Sequence, residues 1–296
     1  MTSPTDRTRR TAQSHAVGGK EFWHHDLGLA YGLSGALVVV ALVASSIGVF
    51  FPDIFSDPAM TAGNARGTAL VILAVALPAL LASMILAARC SLRAQIVWLG
   101  ALAYILYNSV FFAFDLVFNP LFLVYVATLS LSIWSLVALL VRVDAAGLRA
   151  RVAPSTPVRA IAAYMFIVAV LFAAVWLKDI LPGILGNTTP ASLEGTKMPT
   201  NPVQVLDLSV TLPLCVLGGI WLWRRRPWGY VLAGLLLTML TIESASIAVD
   251  QVFGHLHDPT APLGAVPVFL VLALVGLVPT VALLRNVRRG TDVRVR

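Results

Sequence analysis

The sequence predicts an all-α protein, a polytopic membrane bundle of eight transmembrane helices, and three observations predict it. The 296 residues are 58% hydrophobic and only 12% charged, whereas a soluble domain is about 25% charged. Eight windows are apolar over roughly the 20 residues that a helical crossing needs. Of the 21 Lys and Arg residues, 18 fall in the two tails and in alternate connections between those windows.

The windows lie at about 28–50, 67–88, 94–116, 119–141, 159–181, 203–223, 227–252 and 263–284. In hydrocarbon every backbone polar group has to be satisfied internally, so each window reads as a continuous helix. They predict a first half at 27–145 and a second at 158–285. Ahead of them, residues 1–26 read as a disordered cytoplasmic tail, without the pattern of a cleaved signal peptide. The first span then serves as an uncleaved anchor, with Trp23 at headgroup level. The second carries Pro78 and the sixth Pro213, each predicting a kink, as do Pro267 and Pro279 in the eighth. The third holds Tyr104 and Asn108 and closes on Asp115; the fifth ends in Lys178 and Asp179. Gln204 and Asp207 open the sixth, where Asn201 and Pro202 suit a helix start. The seventh contains Glu243 and closes on Asp250, and residues 286–296 form a basic tail.

Charge placement predicts the orientation. Arginines and lysines crowd the tails and the second, fourth and sixth connections, while the other side holds Arg66, Lys178 and Lys197. By the positive-inside rule both termini are cytoplasmic, and the protein is a multi-pass component of the inner or plasma membrane. The formal charge of +7 is therefore a topological signal and does not imply a nucleic-acid partner; the partner it implies is the lipid bilayer.

The chain also resembles itself. Residues 70–115 align without a gap on 205–250, at a constant offset of 135, with ten identical pairs that include Pro78/Pro213, Arg89/Arg224 and Asp115/Asp250. Prolines and charges are costly in a span, so they weigh more than apolar matches. Two membrane hairpins also resemble one another through topology alone. Read as a duplication, the pattern predicts a parallel 4+4 internal repeat about an axis along the membrane normal. Asn108 then occupies the place of Glu243.

The polar groups collect toward the arginine-poor side. Glu243 lies about 16 residues into its span, roughly 24 Å up at 1.5 Å per residue, and Asn108 reaches a similar height. A mid-span carboxylate costs about 3 kcal/mol on insertion scales, so it faces the bundle interior and pairs or works. Asp115, Asp250, Lys178 and Asp179 also suit solvated helix ends, and Asp207 suits the positive end of its helix. No His lies within a span, which argues against a haem held by facing histidines. Cys90 and Cys215 read as packing residues, and "GHLHDP" as an exposed loop and not a metal site. No phosphate-binding loop, nucleophile elbow or metalloprotease motif is present, so no cofactor is expected.

The run "YNSVFFAFDLVFNPLFLVYVATLSLSIWSL", with "NPVQVLDLSVTLP" and "RRRPWGY", resembles a group of uncharacterised bacterial multi-spanning integral membrane proteins. That resemblance brings no established activity, and Glu243 is not part of its pattern.

The residues themselves predict a polar, carboxylate-lined pocket open to the extracytoplasmic side, used for binding or proton-coupled handling of a small solute. Glu243 and Asp207 are the candidate chemical groups. Asn108, Gln204, Tyr104, Asp115, Asp250, Lys178 and Asp179 are the candidate binding residues. A membrane-embedded enzyme on a lipid or isoprenoid, with Glu243 as general acid in the manner of a terpene cyclase, is an alternative by analogy. A non-catalytic partner subunit is another.

Overall fold

A computed structural model describes residues 27–288. The tail expected at 1–26, and the part of the basic tail from 289 onward, lie outside those residues. Among the described residues eight helices are long and apolar enough to cross a membrane: α1 Gly28–Phe50, α2 Ala59–Ala88, α3 Leu92–Phe114, α4 Phe122–Leu140, α5 Val158–Gly186, α6 Pro202–Trp223, α7 Pro227–His257 and α8 Val266–Arg285. The chain is a polytopic helical bundle. Three helices outrun their predicted windows by five residues or more: α2 starts eight residues early, and α5 and α7 each extend by five at their C-terminal ends.

α3 and α7 form the centre. They are the most enclosed of the eight, and α3 contributes the fully buried Trp98, Tyr104, Leu102 and Ile105. Lipid tails are as apolar as leucine, so close backbone approach, not apolar burial, holds membrane helices together. At the crossing of α3 and α7, a Cβ on Gly100 would sit 2.4 Å from Thr238 Cβ. The same device seats α2 on α7. Gly63 and Gly67, four residues apart, face the α7 backbone, and a Cβ on Gly67 would stand 2.5 Å from Asp250 Cα. Small residues at i and i+4 let the two helices touch, which brings the α2 side chains Asn64 and Thr68 against Asp250.

The prolines at 78 and 213 each follow a change of helical winding. Upstream of Pro78, residues Ile72–Ala76 form a π-helical turn in which Leu77 N–H donates to Ile72 O. Upstream of Pro213, Asp207–Thr211 form another, with Leu212 N–H donating to Asp207 O. A proline lacks the N–H for the carbonyl four residues back, and its ring crowds that carbonyl. A wider turn relieves both at once. Pro267 stands in the first turn of α8, where its missing N–H has no intrahelical acceptor to lose, so the reason for a kink there is absent. Pro279 lies inside the helix.

The two π turns are 135 residues apart. So are the helical segments that follow them, Leu77–Ala88 and Leu212–Trp223, and the left-handed turn residues Cys90 (φ 61°) and Arg225 (φ 53°). The starts of α3 and α7 keep the same spacing. The halves differ in how they close. α1 packs along α4, whereas α5 and α8 barely touch.

At the arginine-rich end, a short helix Ala145–Arg151 leads into the backbone pairing of Val152 with Val287. Arg93 caps that end, its Nε donating to Val287 O at 2.8 Å and its Nη2 to Arg285 O at 3.1 Å.

Candidate functional site

Where α5 and α8 part, a cavity of about 320 Å³ opens among α2, α3, α5, α6, α7 and α8, on the arginine-poor side of the bundle centre. Its acidic lining consists of Asp115, Asp207, Glu243 and Asp250, and its aromatic lining of Tyr107, Phe111, Tyr164, Phe172, Trp176 and Phe269. The rings of Phe172 on α5 and Phe269 on α8 stand 6.1 Å apart across the gap.

Glu243 sits in the wall with Asn108 opposite. Asn108 Nδ2 donates to Glu243 Oε2 at 2.8 Å and to the Tyr104 carbonyl at 3.1 Å. Asn108 is buried and Glu243 half-buried, so the amide holds the acid at the cavity surface. Asp207 lies in the π turn of α6, two turns below the Asn201 side chain that accepts from Val203 N and Gln204 N at the helix start. It is 8% exposed, and both of its oxygens are taken. Tyr107 Oη donates to Oδ1 at 3.0 Å, and Trp176 Nε1 donates to Oδ2 at 2.9 Å. Burying a carboxylate without partners is costly, and two donors from two other helices supply the compensation.

Asp115 and Asp250 were expected to suit solvated helix ends, and neither is solvated in that way. Asp250 lies seven residues inside the end of α7. Thr68 Oγ1 approaches its Oδ2 at 3.5 Å, while its Oδ1 is buried without a partner. Asp115 follows the last residue of α3, is 7% exposed, and has a buried Oδ1 with no hydrogen-bond partner. Burial, with Asp57 nearby, pushes the Asp115 carboxyl up to about 7. Asp57, in the connection from α1 to α2, accepts from Val117 N at 2.8 Å and also has a buried unpartnered oxygen. Burial raises its pKa, with Val117 N–H and the Lys197 charge working the other way.

The remaining candidates stand outside the cavity. Gln204, 6% exposed, donates through Nε2 to Asp179 Oδ2 at 2.8 Å and to Ser192 Oγ at 3.2 Å. Asp179 also accepts from Ser192 N. These bonds fasten the α5–α6 connection, whose Ser192, Thr196 and Met198 reach the cavity. Lys178 is exposed. Tyr104 is completely buried in α3 and its hydroxyl donates to Ser246 Oγ at 2.9 Å. The sequence pattern does not single out Tyr107, Trp176, Thr68 or Asp57. Carboxylates stand out in an apolar run, but the aromatic donors that hold them do not. Compared with protein-family models, curated proteins and solved structures, the chain gives no match, so the resemblance noted in the sequence leads to no family assignment.

Proposed function

We propose that this integral membrane protein binds a small solute in the carboxylate-lined cavity, from the extracytoplasmic side, and that Glu243 couples the solute to a proton. The observation that carries the reading is convergence. Glu243, Asp207 and Asn108 come from three helices to one cavity, and the first two are each held by donors on another helix. Carboxylates are expensive at this depth and mark binding sites or proton relays in membrane proteins. A neutral Glu243 donates a proton, and an ionised one attracts a cation or accepts the proton back.

The two halves of the chain are read as copies of one four-helix unit, related by the shared 135-residue offset. One cavity wall supports this. Ile72, Ser109 and Phe112 line a cavity of only about 20 Å³ in the first half, and their counterparts at that offset are Asp207, Ser244 and Ile247 of the larger one. In this reading the first copy filled its chamber with apolar side chains and kept Asn108 as support. The second copy opened its chamber and acquired the acids.

The test is chemical access. Ser244 lines the cavity, and the native cysteines, one exposed and one buried, are replaceable as Cys90→Ser and Cys215→Ala. In that background Ser244→Cys reacts with a membrane-impermeant methanethiosulfonate reagent added to spheroplasts, and does not when the reagent is added to inside-out vesicles. Reaction from neither face sinks the proposal, and reaction from the cytoplasmic face alone reverses its direction.

A further inference from the structure

We propose that the solute is an organic cation, an amine or quaternary ammonium group carried on an apolar body. The inference rests on the reading of the cavity as a solute site and adds the class of solute.

The cavity lining contains four carboxylic side chains and no Lys, Arg or His. The nearby cations are engaged elsewhere. Arg66 donates to Val49 O at 3.0 Å and lies over the Phe253 ring, and Lys197 donates to Ser56 O at 3.3 Å beside Asp57. An anionic solute would find no opposite charge inside.

The lining also has unmet acceptors. Both Asp207 oxygens have protein donors, but Asp115, 93% buried and in the lining, has a buried oxygen that receives none, and so has Asp250. Buried polar atoms are almost always partnered in native proteins, and an ammonium or N–H-bearing solute brings the donors that an acid-rich lining is short of. A neutral apolar solute would bring the acidic lining no donor.

Much of the remaining wall is aromatic. Rings from α3, α5 and α8 surround the acids, and the negative faces of aromatic rings attract cations, with larger effect in desolvated sites. A bare metal ion fits poorly, because the described His, Cys, Asp and Glu side chains form no group of three or more that could hold one. The volume of about 320 Å³ is at the small end of small-molecule sites, roughly 300–1,000 Å³, and suits a solute with one aromatic ring.

The experiment uses the full chain, purified into nanodiscs of uncharged lipid, in equilibrium dialysis with two probes of similar size and one ring each: benzyltrimethylammonium and phenylacetate. The expected result is saturable binding of the cation at least tenfold tighter than of the anion. Asp115→Asn weakens it about tenfold, Asp115→Glu retains it, and Glu194→Gln, which removes an exposed carboxylate outside the cavity, leaves it unchanged. Phenylacetate bound as tightly as the cation overturns the assignment and leaves the solute chamber standing. So does displacement of benzyltrimethylammonium by an equal concentration of sodium. Failure of both probes to bind overturns the cation assignment, while the Ser244→Cys reaction separately decides whether the chamber is accessible.

Discussion

Asn108 and Glu243, 135 residues apart in the chain, meet at 2.8 Å in the centre of the bundle. The offset that separates them is the one at which residues 70–115 align on 205–250. The pair therefore joins corresponding positions of α3 and α7, which cross closely enough for Gly100 to touch Thr238. A short amide such as Asn108 reaches across only because the crossing is that tight.

The pair predicts opposite outcomes for two substitutions. Glu243→Gln keeps an oxygen for Asn108 Nδ2 and should leave stability within about 1 kcal/mol while abolishing solute binding. Asn108→Leu leaves Glu243 without its donor and should cost about 1–3 kcal/mol, the usual penalty of an orphaned buried polar group. Unfolding titrations in mixed micelles, read beside dialysis binding, check both. Binding unchanged in Glu243→Gln would remove Glu243 from the solute site.

Asp207 depends on donors from α3 and α5. Tyr107→Phe and Trp176→Phe each remove one hydrogen bond to the carboxyl group, worth about 1.5–3 kcal/mol where the acceptor is charged. The double variant should fall short of the sum, because both donors serve one group. A double-mutant cycle on unfolding free energy measures the shortfall, and strict additivity would mean that the two donors act on different groups.

The membrane spans were legible because apolar length and arginine placement are properties of composition along the chain, and packing does not disturb them. Glu243 was legible for a related reason, since a carboxylate inside an apolar run has no cheap explanation. Tyr107 and Trp176 were not, because an aromatic residue in a span looks the same whether it faces lipid, core or a carboxylate. The first turns of α2, "AMTAGNAR", read as connection because they are weakly apolar; they are helical because Gly63 and Gly67 press them against α7, where Thr61 and Asn64 reach the cavity and not lipid. Asp250 was expected near a solvated end because its helix looked complete at 252, yet α7 runs on to His257.

That glycine contact gives a third prediction. Gly67→Val places a branched side chain where a Cβ already stands 2.5 Å from the Asp250 backbone, so α2 and α7 have to separate. Overpacking costs about 1–3 kcal/mol where side chains can yield, and this clash is against backbone, so the expected loss is at the top of that range or above it. Gly32→Val, at a site with open space around it, is the control. Equal unfolding midpoints for the two variants would contradict the packing argument.

The Asp115 carboxyl predicts a pH dependence whose sign follows from its environment. Asp57, itself half-buried beside Lys197, is the charged group that faces it from the α1–α2 connection, and Tyr107 and Asp250 share its cavity. Burial first, then repulsion from Asp57, raise Asp115 from an ordinary 3.8 to about 7. Between those values the folded protein holds a proton that the unfolded chain has released, so this group makes stability fall as pH rises from about 4 to about 7, with no further change above. Binding of an organic cation runs the other way and strengthens as the carboxylate forms near pH 7. Dialysis with benzyltrimethylammonium from pH 5.5 to 8.5, beside unfolding midpoints over pH 4–8, reads both curves. Asp115→Asn should remove the Asp115 step from both curves, leaving whatever step Glu243 gives to binding; a variant that removes the step from one curve and leaves it in the other would assign the titration to different groups.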